Sequence, residues 1–109
     1  MPTVYKVLGQ VNPSATTNTT LYTVPAANST VISTLTVCNQ ASTTANFRVA
    51  VRPAAESITS KHYINYDTQI PGNDQIALTL GITLAATDVV TVYANTATVS
   101  FNLFGTEMY

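Results

Sequence analysis

Apolar residues alternate with small or polar ones along most of this chain, most clearly over residues 76–84, IALTLGITL. Ile76, Leu78, Leu80, Ile82 and Leu84 take every second place, with Ala77, Thr79, Gly81 and Thr83 between them. Side chains of a strand point alternately to its two faces, so five branched apolar groups fall on one side and small ones on the other. At about 3.3 Å per residue the run spans roughly 30 Å. It is predicted to be the central strand of a buried sheet face.

Shorter alternations flank it. Residues 3–11 read as a strand ended by Asn12-Pro13-Ser14, where proline removes a ladder donor. A short strand at 19–24 is broken by residues 25–28, PAAN. Residues 30–39 form a long strand with Val31, Leu35 and Val37 on one face. Residues 46–52 return with Phe47, Val49 and Val51 toward the core and Arg48, Ala50 and Arg52 outward. Pro53 stops that strand, and the unpatterned 53–60 has room for a short helical turn. Residues 61–67, KHYINYD, suit an edge strand, where charge discourages stray pairing. The turn at 71–74, PGND, precedes the run already described. After a corner at 85–88, residues 88–95 turn Val90, Val92 and Ala94 inward. Residues 98–105 close the chain with Val99, Phe101 and Leu103 inward and Phe104 outward.

Seven to eight short strands, with turn signals at roughly 8–12-residue spacing, predict one all-β domain over residues 1–109. The expected architecture is a two-sheet antiparallel β-sandwich with Greek-key connections. Residues 80–94, LGITLAATDVVTVYA, resemble the corner between two late strands of immunoglobulin-like and fibronectin-type domains. That resemblance implies a generic Ig-like sandwich. Val90 stands where those families often carry a tyrosine, and the paired cysteines and core Trp of antibody domains are absent.

Composition narrows the partners. Charged residues make up 8% of the chain, about a third of the usual share, and twenty threonines take their place. Threonine is β-branched and suits a pleated surface. With a net charge of −1 and four cations (Lys6, Arg48, Arg52, Lys61), no basic stripe is available for nucleic acid. A weakly charged surface repels its own copies little, so homo-oligomers are expected. A single cysteine forms no internal disulfide. No apolar stretch reads as a signal peptide or membrane span, which leads us to expect a soluble product of the cytoplasm without a membrane partner.

Candidate chemistry is sparse. His62 is the one histidine, with Glu56 and Asp67 as nearby carboxylates, and reads as a surface residue. Cys38 reads as buried and inert. Asp67, Asp74 and Asp88 sit beside turns, where aspartate caps its own backbone. Arg48 and Arg52 share a strand face: either they clamp a carboxylate of a neighbouring subunit, such as Glu107, or they form an ordinary solvated face. Tyr63 and Tyr66 are three residues apart and are predicted to face opposite ways, which favours packing or subunit contact over a sugar-stacking platform. One His and one Cys assemble no nucleophile–base pair or metal set, so no catalytic residue, metal or cofactor is expected.

Over its whole length the chain resembles small virion proteins of tailed bacteriophages, especially cyanophage-like and other aquatic ones. The resemblance is carried by YKVLGQVNPSATTNTTLYTVPA (5–26), TLTVCNQASTTANFRVAVRPA (34–54), KHYINYD (61–67), LGITLAATDVVTVYA (80–94) and the closing VSFNLFG (99–105). It implies a non-enzymatic structural protein of the virion, assembled in the host cytoplasm and decorating or cementing the capsid. Its expected partners are other virion proteins, above all the major capsid protein. The expected working surfaces are Arg48, Arg52, Tyr63, Tyr66, Phe104 and Glu107, with the Ala77/Thr79/Gly81/Thr83 face. A tail or fibre component binding host-surface glycan, and a neck or tail structural protein, are the alternatives.

Overall fold

Proline, glycine and asparagine divide the alternating chain into short ladders, because each interrupts pairing or supplies a turn. The computed structural model describes residues 2–79 and 81–109. Among the described residues the strands are β1 (Thr3–Val11), β2 (Thr19–Thr23), β3 (Ser29–Asn39), β4 (Ala45–Arg52), β5 (Tyr63–Ile70), β6 (Asp74–Leu78), β7 (Ile82–Leu84), β8 (Val89–Ala94) and β9 (Val99–Met108). Single 3₁₀ turns stand at Pro53–Ala55 and Ser60–His62.

The strands form two antiparallel sheets. The first runs β1-β9-β3-β6, with β7 also alongside β3, and the second runs β2-β8-β4-β5. The chain crosses between sheets at every connection except β4–β5 and β6–β7. With β6 and β7 taken as two pieces of one edge, this is the eight-strand double Greek key of a jelly roll. The expected two-sheet antiparallel sandwich is therefore present. Its strand order joins the first strand to the last, whereas an immunoglobulin sandwich, with sheets ABED and CFG, sets its first strand beside the second.

Among the described residues β6 and β7 pair with β3 alone, so these two pieces of the predicted central strand lie at an edge and not in the centre. Their alternation is real: Ile76, Leu78 and Ile82 pack on the core, while Ala77, Thr79 and Thr83 are exposed. Gly81 adopts φ +59, a left-handed conformation that interrupts the edge. Leu80, part of the predicted strand, lies outside the described residues.

Inward side chains of both sheets make one core. Phe47 of β4 and Phe101 of β9 meet across the sheets, edge to face, with ring centroids 6.1 Å apart. Val49, Val90 and Val92 of the second sheet and Ile32, Leu35, Val37 and Leu103 of the first close round them. Val31 was expected to share a face with Leu35 and Val37, but it points outward and Ile32 is buried with them. The pairing of β3 with β9 slips at Ser33, so face parity reverses there. Gly105 sits where β9 approaches β3 so closely that a β-carbon would run into the Val31 carbonyl oxygen.

The 53–62 segment folds over the outer face of the second sheet, where the Ser60–His62 turn meets β4. Ala50 points to that face and is nonetheless buried.

Candidate functional site

Arg48 is forced outward on β4 because its neighbours Phe47 and Val49 fill the core. Its guanidinium carbon lies 4.1 Å from the ring centre of Tyr93, its ladder partner on β8, and 4.2 Å from that of Tyr66 on β5. A planar cation between two π faces is a favourable arrangement that lysine would not reproduce. Arg48 Nε donates to Asp67 Oδ1 at 2.6 Å and Nη2 donates to Oδ2 at 3.2 Å. This forked pair raises the guanidinium above its ordinary range. Asp67 thus pairs across strands and does not serve a turn.

Tyr63 and Tyr66 come together, against the expectation from their spacing. Their rings pack edge to face at 4.9 Å and 85°. The cause is the register of β5 on β4: Val49 pairs with Asn65 and Ala50 with Tyr63, so two steps on β5 match one on β4. The extra residue between the tyrosines reverses parity and brings both to one side. A second slip follows between Asn65 and Thr68, where Asp67 stands at φ 50.

Beside them opens a groove of about 470 Å³ lined by Ile58, Thr59, Ser60, Tyr63 and Tyr66. The wall at 58–60 is held by His62, whose side chain is 3% exposed and so is not a surface residue. His62 Nδ1 accepts the Thr59 N–H at 3.0 Å, which leaves Nε2 to donate to Glu56 Oε1 at 3.2 Å. A buried imidazole needs both nitrogens partnered, and the short turn supplies them. Arg52 anchors the same segment, donating from Nη1 to the Glu56 carbonyl at 2.9 Å and from Nε to Thr91 Oγ1 at 3.0 Å. Arg48 and Arg52 are therefore engaged separately within their own chain and do not form one clamp.

Glu107 is also held internally. It is 6% exposed, accepts the Tyr22 hydroxyl at 2.6 Å and pairs with Lys6 Nζ at 3.1 Å. The Tyr22 hydrogen bond, helped by Lys6 and opposed by burial, holds this carboxyl below its usual range. Tyr22 is pushed up to about 12, first by burial and then by the bond to Glu107. Its hydroxyl also lies 2.8 Å from Thr30 Oγ1.

Phe104 is half-buried on the outer face of the first sheet, between its partners Val7 and Thr34. Cys38 lies on that face too, half-buried and opposite Ser100 and Gln75, rather than in the core.

No protein-family model matches the chain, and no curated protein matches it. Among the described residues no three His, Cys, Asp or Glu side chains gather as a metal site would require, and no helix is long and apolar enough to cross a membrane.

The sequence reading missed Tyr93, Asp67 and the 58–60 wall as parts of one surface. Arg48 and Tyr93 were both legible as outward residues; their adjacency needed the β4–β8 register. The Tyr22–Glu107 contact joins residues 85 positions apart and left no local signal. The assembled surface offers rings, hydroxyls and a fixed cation, a set suited to recognition.

Proposed function

We propose that this chain is a non-enzymatic structural protein of a tailed-bacteriophage virion, decorating or cementing the capsid as a small homo-oligomer. Contact with the major capsid protein is made through the outer face of the first sheet. One observation carries this reading: among the described residues that face bears no charge from edge to edge. Its rows across the strands are Tyr5–Thr106–Val31–Thr83, Val7–Phe104–Thr34, Gln10–Asn102–Thr36–Ala77 and Ser100–Cys38–Gln75. Lys6 has the opposite parity and turns toward Glu107. Tyr5 is 83% exposed and Val7 47%, both large apolar groups left in water.

Four strands about 4.8 Å apart and up to about 33 Å long give a face of roughly 600 Å². One side of a standard protein interface is about 800 Å², so the face is of a suitable size. Lacking charge, it would dock without the large cost of burying an unpaired ion. The whole-length resemblance to virion proteins supports the same reading, as does the jelly roll, an architecture of viral shells and lectins.

The test is to add the purified protein back to stripped or undecorated particles. One copy at each fixed lattice position is expected, with loss of decoration in Tyr5→Lys and Val7→Lys variants that remain folded. Binding to no lattice site, or decoration unaffected by both substitutions, would refute the proposal.

A further inference from the structure

We propose that the groove between the 58–60 wall and the Tyr63–Tyr66 pair is a binding site for a neutral saccharide. None of the five lining residues is charged: Ile58 and two tyrosine rings supply apolar surface, and Thr59 and Ser60 add hydroxyls. A phosphate, carboxylate or amine ligand would want a counter-charge there. Arg48, stacked on Tyr66, is occupied by Asp67 and two rings, and Arg52 is bonded to Thr91 and the Glu56 carbonyl. Lys61 lines a separate hollow with Glu56 and His62. A sugar ring is the ligand class that pairs an apolar C–H face with closely set hydroxyls, matching this lining group for group.

The groove is also preformed. His62 holds the wall, Arg52 ties the segment to β8, and the β5 bulge between Tyr63 and Asn65 sets the tyrosines. Little ordering remains to oppose binding. A volume of about 470 Å³ lies within the roughly 300–1,000 Å³ of small-ligand sites. Tyr66 is 58% exposed, so the site opens to solvent. It lies on the second sheet's outer side, facing away from the charge-free face of the first sheet. A subunit docked by one surface would therefore present the other outward.

Saturation-transfer NMR on the intact protein tests this. The probes are neutral oligosaccharides of glucose, galactose and N-acetylglucosamine, with a sulfated heparin oligosaccharide as the charged comparator. Saturation transfer to at least one neutral sugar is expected. Binding should weaken roughly tenfold in Tyr66→Ala, the scale of one lost aromatic contact, and be unchanged in Tyr5→Ala. Ser60→Trp, a substitution at an exposed position that fills the groove, should abolish it and decides the matter if Tyr66→Ala does not fold. No transfer to any neutral sugar at millimolar concentration, preference for heparin over every neutral probe, or full binding by Ser60→Trp would overturn the proposal. None of these outcomes bears on the particle add-back, which reads the opposite face.

Discussion

Glu107 keeps its charge inside a sandwich wall because every partner it needs arrives from another strand: Tyr22 from β2 and Lys6 from β1. Burial alone would raise its pKa, but the hydrogen bonds and the lysine win, and the shift is downward. The sign for stability follows. A carboxyl depressed in the folded state contributes stability above its unfolded value near 4.5, and this is lost as pH falls through the folded value. Tyr22 behaves oppositely: its contribution is present below 10.0 and is lost as pH rises toward about 12. Thermal melting across pH should show wild type losing more stability below pH 4.5 than Glu107→Gln, and more above pH 10.0 than Tyr22→Phe. At neutral pH, Tyr22→Phe should cost about 1–3 kcal/mol, since it leaves a buried carboxylate short of its strongest donor. Superimposable pH curves for wild type and variants would show that the network carries no linkage.

At the scale of elements, β5 owes its surface to a bulge rather than to regular pleating. The Arg48–Asp67 pair alone is worth little, because Asp67 is 42% exposed and such pairs contribute about 0–1 kcal/mol. The guanidinium between Tyr66 and Tyr93 adds about 0.5–1 kcal/mol per ring. Arg48→Lys should therefore destabilise more than Asp67→Asn in urea melts, although it preserves the charge; the reverse order would assign the stability to the ion pair. This bulge also marks where sequence reading stopped. Strand positions were legible because alternation and turn residues are local, and β1 spans the predicted 3–11. Parity beyond a bulge was not, since one added residue at Ser33 or between Tyr63 and Asn65 leaves no compositional trace. The same holds for edge and centre: a strand with apolar residues at every second place, like 76–84, fits either position, and long-range pairing decides. His62 was misread for a related reason. Its burial depends on a segment folding back over β4, which no nearby residue announces.

At the scale of the whole molecule, the connections dictate how the two sheets gain stability. Strands enter the sheets in the order first, second, first, second, second, first, first, second, first. The first sheet is thus incomplete until β9 slots between β1 and β3, after the second has received its last strand. Neither sheet has an inner face it could bury alone, because Phe47 and Phe101 belong to opposite layers and pack on each other. Sheets that share one core and interleave their strands should open together. Native-state hydrogen exchange tests this at Val92 in the second sheet and Leu103 in the first, both buried. Phe47→Leu should lower protection at both amides by the same free energy, as should Phe101→Leu, each by about 1–2 kcal/mol for a volume-reducing core change. If Phe47→Leu loosened Val92 while Leu103 kept its protection, the sheets would be separate cooperative units and the core would not be shared. A uniform loss would mean that the charge-free face and the tyrosine groove, on opposite sheets, are held in fixed relation by a single folding transition.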